Sequence, residues 1–208
     1  MERKRMTAAV VEARVAERGD LPQVVATLAR AFFDDPINRW IVPDDAQRRQ
    51  GAPAFWSTFT NACWAHGTVF TAGSESGAAL WVPPGKPLVS DSEEEEFQRA
   101  VLESAGSAEA ADRMADLMTM MAEHHPAEDH WYLPFIGVDP TAQGHGIGSA
   151  LLRIVLAEAD RDGIPAYLEA SSPQNQRLYE RHGFVSTRQL TVSDAPPIYA
   201  MWREPNSL

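Results

Sequence analysis

The sequence predicts an α/β domain built on a sheet of mixed direction. From His130 onward, strand-like apolar runs and helical periodicities follow the order strand, helix, strand, helix, strand, strand. Upstream, "TVFTAGSESGAALWVPPG" places two β-rich runs around a Gly/Ser turn. The remaining N-terminal stretches carry apolar residues at helical spacing. The chain has 208 residues, enough to bury one sizeable core. The expected organisation is a short N-terminal lead-in over 1–18 and a single domain over 19–208.

Each element has a local reason. In "GDLPQVVATLARAFFDDP" Asp20 is placed to cap a helix whose inner face holds Val24, Leu28, Ala31 and Phe32. That helix should stop near Asp34–Pro36, because proline disfavours helical geometry in the residue before it. "DAQRRQGAPAFWSTFTNACWAHG" reads as a second helical region, with Phe55, Phe59 and Ala62 on one face. Strands over Thr68–Ala72 and Gly77–Val82 form a hairpin that Pro-Pro-Gly ends. The four consecutive glutamates of "SDSEEEEFQRAVLESAG" suit the solvated first turns of a helix, where carboxylates meet the positive end of the dipole. "AEAADRMADLMTMMAEHHP" is a further helix, and its stripe of Met114, Leu117, Met118 and Met121 reads as core, with a pocket wall as the alternative.

Beyond it come the strand "HWYLPFIGV", the helix "GSALLRIVLAEADRDG", the strand "IPAYLEAS" and the short helix "SPQNQRLYERHG". Leu151, Leu152, Val155, Leu156 and Ala159 face inward on the longer helix, and Gly163 stops it. Ser172, Pro173 and Gly183 cap, open and end the shorter one. "FVSTRQLTV" and "PPIYAMWRE" close the sheet.

Bulk properties exclude several functions. The net charge of −11 argues against a nucleic-acid partner, which needs clustered Lys and Arg. No apolar run is long enough to span a membrane. The basic start "MERKRMTAAVVEARV" lacks a signal-peptide core, so a cytoplasmic location is expected. The one cysteine, Cys63, permits no internal disulfide and reads as a small buried hydrophobe. His124, His125 and His130 follow no standard zinc spacing and have no cysteine nearby, so no metal is expected.

Gln143-Gly144-His145-Gly146-Ile147-Gly148 follows a strand and opens a helix. Unpaired backbone N–H groups and the dipole make such a position an anion cradle, and glycines let a ligand approach the backbone. The loop lacks the Gly-Lys-Ser/Thr ending of a nucleoside-triphosphate loop. It also lacks the six-residue dinucleotide pattern, because Ser149 stands where a third glycine or alanine belongs. A tight turn packing helix on strand is the plainer reading of the same residues.

Gln143-x-x-Gly146-x-Gly148, after a strand ending Val138-Asp139-Pro140, resembles the acetyl-CoA-binding motif of the GNAT acetyltransferase superfamily. "YLEASSPQNQRLYERHGF" resembles that family's next strand and helix, with Asn175, Tyr179, Gly183 and Phe184 in the matching positions. The resemblance covers about His130 to Val185 and extends weakly over Asp20 to Trp40. Within the superfamily, the stretches quoted look most like the subgroup that includes puromycin N-acetyltransferase.

The resemblance implies a mixed, mostly antiparallel sheet of about seven strands, flanked by helices and splayed between the His130 and Pro165 strands. The pantetheine arm of acetyl-CoA would pair with Ile136, Gly137 and Val138. Its pyrophosphate would meet the loop of Gln143, Gly144, His145, Gly146, Ile147, Gly148 and Ser149. Asn175 would contact the pantetheine or the acceptor side of the thioester, and Tyr179 would approach the sulfur. The activity implied is N-acetyl transfer to a small-molecule amine by direct transfer in a ternary complex, with the protein acting as a monomer or homodimer. A protein lysine or N-terminal acetyltransferase, and a non-catalytic acyl-CoA-binding sensor, are the alternatives.

Acetyl transfer needs a neutral amine, a carbonyl held at attack distance and a proton for the departing thiolate. Tyr179 fits the proton donor, against a plain packing role. Glu169 lies on the opposite strand face from Leu168 and fits the base or an ammonium holder, against a structural carboxylate. Tyr132 and His130 are weaker candidates in a region where many relatives place an acid. Asp34-Asp35 either attracts a cation or simply ends a helix.

Overall fold

A computed structural model describes residues 11–206. Seven strands form one sheet in the order β1-β2-β3-β4-β5-β7-β6: β1 (Ala13–Val15), β2 (Val69–Ala72), β3 (Gly77–Val82), β4 (Trp131–Val138), β5 (Ala166–Ala170), β6 (Val185–Leu190) and β7 (Ile198–Arg203). All neighbours run antiparallel except β4 and β5, which are parallel. The helices are α1 (Leu21–Ala31), α2 (Pro36–Ile41), α3 (Asp45–Ala65), α4 (Glu94–Ser104), α5 (Ala108–His124), α6 (Ile147–Asp162) and α7 (Pro173–Glu180). They divide into two layers. Leu80, Val82, Tyr167 and Ala200 point from the sheet into a core shared with α1 to α5. Ala79, Trp81, Leu133, Leu168 and Met201 point the other way, against α6.

Three local expectations change. Ala13–Val15, in the stretch read as a lead-in, is an edge strand paired with β2. Asp20 does not cap α1 through its side chain. Its carboxylate instead accepts from the Glu17 N–H at 2.7 Å and pairs with Arg14 at 2.5 Å, fastening β1 to the start of α1. α1 stops at Ala31, and the stretch Asp34–Pro36 expected to end it also opens α2. Pro36 opens that helix, because a proline at the first helical position loses no needed donor. Asp35 is the cap, its Oδ1 accepting from the Ile37 N–H at 2.9 Å and the Asn38 N–H at 3.4 Å.

The sheet divides at one place. β4 and β5 pair only at Trp131 with Ala166, Tyr132 with Tyr167 and Leu133 with Leu168. Past Leu133, β4 follows β3 while β5 follows β7. Pro134 stands where the pairing stops, and a proline cannot donate to a ladder. The β3–β4 register also slips there, between Leu80 and Val82, as a bulge bends the strand.

Candidate active site

The glycine loop lies at the end of β4 and is held from three sides. Asp139, after the strand, accepts from Arg30 of α1 at 2.6 Å, and its backbone N–H donates to Ser76 O of the hairpin turn at 2.8 Å. Gln143 Nε2 donates back to Val138 O at 3.2 Å, and His145 Nδ1 lies 3.2 Å from Ala142 O. Gly144 and Gly146 adopt φ of +81° and +83°, a conformation that glycine alone takes without strain. A Cβ at either would meet nothing within 4 Å, so the space before them is open. Gly146 caps α6 and brings no side-chain acceptor, so the cap leaves the amides of Ile147, Gly148 and Ser149 at the helix start unsatisfied. Ser149 Oγ lies 2.9 Å from His182 Nε2. Burial, with Arg153, Arg181 and Arg203 nearby, pulls the His182 imidazole below its ordinary range. The sequence reading missed this basic group around His182, beside Ser149, because its members come from α6, the end of α7 and β7; Arg203 among them is paired with Asp160 at 2.8 Å.

Ile136, Gly137 and Val138 pair with β3 on one side and leave their other backbone edge unpaired by β5. At Gly137 the glycine is explained by packing: a Cβ would stand 2.8 Å from the Ala31 Cβ of α1.

The fork opens into a cavity of about 660 Å³. Glu169, Ser171, Asn175, Tyr179 and Asp35 all line it, so the two residues expected to move protons share one chamber. Ile136 lies on its wall, whereas the loop residues Gln143 to Ser149 lie outside it. Asp35 Oδ2 accepts from Ser171 Oγ at 2.5 Å, and Ser171 Oγ in turn accepts from Asn175 Nδ2 at 3.2 Å. Asn175 thus has a protein partner on α7's approach, and the Ser172 hydroxyl caps its backbone N–H at 3.2 Å, as the sequence predicted. Burial raises the Asp35 carboxyl above its usual range. The same carboxylate is the second cause, after burial, of a phenol pKa at Tyr179 pushed well above 10. Tyr179 therefore keeps its proton at every ordinary pH. Its ring also packs edge-on against Phe184 with centroids 6.0 Å apart, so the packing role and the cavity position coexist.

Glu169 stands on the same strand face as Tyr167, two residues before it. Burial pushes its carboxyl up to about 7, and the phenols of Tyr167 and Tyr132 oppose that rise. Its Oε1 is buried and has no hydrogen-bond partner. Tyr132 occupies the β4 position where an acid was missing, and the register that pairs it with Tyr167 brings the acid in from β5. His130 and His125 pack edge-on against the same group, with the His125 ring 4.7 Å from Tyr132 and 5.3 Å from Tyr167. Burial, then His130, pushes His125 down to about 4, which makes it a neutral aromatic wall. Among the described residues no cluster of three or more His, Cys, Asp or Glu could hold a metal ion.

Met114, Leu117, Met118 and Met121 all line the cavity. The core reading and its pocket-wall alternative both hold: Met114 and Leu117 are buried in the core, while Met118 and Met121 pack against it and keep part of their surface exposed.

The donor fits this frame. The unpaired β4 edge, the uncapped amides at the α6 start and the open space before Gly144 and Gly146 all suit an extended, amide-bearing arm that ends in phosphates.

Comparisons agree with the architecture. The Acetyltransferase (GNAT) family matches residues 88–184. An uncharacterized N-acetyltransferase of Schizosaccharomyces pombe is 27% identical over 94% of this chain and 84% of its own length. A Corynebacterium glutamicum crystal structure described as histone acetyltransferase HPA2 and related acetyltransferase is 27% identical. It superposes with a TM-score of 0.72 over 95% of this chain and 98% of that one. A Drosophila melanogaster polyamine N-acetyltransferase shares the fold alone, at 15% identity and a TM-score of 0.57 over 94% of this chain and all of that one. The forked sheet, the cradle at the start of α6 and these likenesses lead to one assignment: the chain carries an acetyltransferase domain of the GNAT family.

Proposed function

We propose that this protein transfers an acetyl group from acetyl-CoA to the amine of a small molecule, directly and within a ternary complex. The observation that carries the reading is that one cavity, at the fork of the sheet, receives both Glu169 and Tyr179. Acetyl-CoA, when bound, supplies an activated thioester carbonyl. Ile136 to Val138 would hold its pantetheine arm along the free strand edge, and the amides of Gly144 to Ser149 would hold its pyrophosphate. Glu169 takes a proton from the acceptor ammonium; a carboxyl titrating near 7 is ionised for a useful share of molecules at neutral pH and still basic enough to act. Tyr179 holds the proton required where the thiolate leaves. Asn175, Ser171 and Asp35 form a hydrogen-bonded chain that fixes this side of the chamber. Direct transfer needs no enzyme nucleophile, and the lone cysteine does not supply one: Cys63 is fully buried, away from the cavity wall, and burial pushes its thiol up to about 12.

The test is release of free thiol from acetyl-CoA against a panel of puromycin-like nucleosides, aminoglycosides, polyamines, amino acids and lysine peptides. Release that requires a small amine is expected. Release with lysine peptides alone would assign a protein substrate, and tight acetyl-CoA binding with no release from any amine would assign a sensor.

A further inference from the structure

The cavity wall is divided by chemistry. Phe32, Phe55, Phe59, Phe97 and Phe135 come from the C-terminal cap of α1, from α3, α4 and β4. They form a continuous aromatic surface, with Phe55 and Phe59 centroids 4.9 Å apart, Phe59 and Phe97 5.0 Å apart, and Phe59 and Phe135 4.8 Å apart. α5 faces them with its methionines, whose unbranched thioethers adapt to irregular shapes and pack well on rings. The acids fall into two groups. Asp35 and Glu169 are largely covered, beside Ser171, Asn175 and Tyr179. Glu94, Glu128 and Asp129 are exposed and stand at the rim with Lys86. Between the two groups the wall offers rings and thioethers.

A second ammonium part-way along the acceptor would be stripped of water there without an anion to meet it, which disfavours binding. An apolar body gains from the same surroundings, in proportion to the area it removes from water. Building on the acetyltransferase reading, we propose that the acceptor is a primary amine on a bulky aromatic or aliphatic body. The body fills the chamber between Phe55, Phe59, Phe97 and the α5 residues Met118 and Met121, and the amino group meets Asp35 and Glu169. A cavity of about 660 Å³ has room for such a body beside the reacting groups, within the usual range of small-molecule sites. The competing occupant is a linear polyamine long enough to pair its far ammonium with the rim acids.

Calorimetry on the full chain, with CoA present, separates the two. The probes are 4-phenylbutylamine, its neutral counterpart 4-phenylbutanol, spermidine and a lysine peptide. Phenylbutylamine is expected to bind at least roughly tenfold tighter than each of the other three, reflecting both the apolar body and the charge. M118E places a carboxylate in the chamber and is expected to weaken phenylbutylamine by at least roughly tenfold, strengthen spermidine, and leave CoA affinity unchanged. M121E, one turn nearer the helix end, repeats the test should M118E fold poorly. Spermidine or the peptide binding more tightly than phenylbutylamine overturns the inference, as does an equal loss for every amine in M118E. Thiol release read in parallel keeps the two claims apart. Turnover of spermidine alone overturns the acceptor class and leaves the transferase standing. Tight phenylbutylamine binding without turnover of any amine does the reverse.

Discussion

Glu169 carries the sharpest prediction at the scale of a single residue. Its folded pKa of about 7 lies above the ordinary 4.5 of a glutamate, so the native state binds more protons than the unfolded chain between those values. Two consequences have opposite senses. Activity should rise with pH through an inflection near 7, because the base must be ionised, and Glu169→Gln should lower kcat/KM by about 10²–10⁴ and remove that limb. Stability should fall over the same window, because a buried charge forms without a full set of partners. E169Q should therefore melt above the parent at pH 8, by up to roughly 3 kcal/mol in stability, with the gap closing at pH 5. A pH series of melting curves beside a pH–rate profile reads both. Loss of activity without the change in pH profile would make Glu169 structural. Tyr179→Phe should cut kcat by about a hundredfold or more while leaving acetyl-CoA affinity in place. Neutralising Asp35 should lower the Tyr179 pKa, since its charge is the second cause of the rise.

At the scale of elements, the glycines separate packing from binding. Gly137 has α1 pressed against it, so Gly137→Ala must push Ala31 away and should destabilise by about 1–3 kcal/mol. Gly148 lies inside α6, where a Cβ would sit 3.5 Å from Leu178 and 3.8 Å from Val138, ordinary contact distances. Alanine there should favour the helix by up to about 1 kcal/mol. Gly148→Ala is expected to raise the melting temperature and weaken acetyl-CoA binding, because the added methyl enters the passage between the β4 end and α7. A stabilised variant with unchanged donor affinity would move the donor's path elsewhere.

The same scale shows what was legible. The half from His130 on read correctly because its signals are local: period-2 runs, period-3.6 runs and glycine stops. The short elements β1 and α2 did not, since three and six residues hold too little pattern to compete with lead-in and turn readings. Asp35 stayed open between a cation site and a helix end for a similar reason. Its partner Ser171 is 136 residues away, so nothing near it in sequence announced the cavity. The methionine stripe showed its helix but not its neighbour, because one apolar face packs on a core or a ligand with the same periodicity. Pro134 was the overlooked signal, a proline inside a strand that marks where pairing with β5 ends.

At the scale of the whole molecule, the fork joins two sheet halves through three residue pairs. Past Leu133, β4 presents backbone groups to no neighbouring strand on that side. Acetyl-CoA bound along it should slow hydrogen exchange at Ile136 to Val138 and raise the stability of the whole domain, by about 2.7 kcal/mol at a hundredfold excess over Kd. A free strand edge is also a place where protein chains adhere to one another. A donor lying along that edge would then act as a removable eighth strand that guards the protein against its own copies. The lifetime of the enzyme would follow the supply of its acetyl donor, and scarcity of that donor would clear the enzyme as well as idle it.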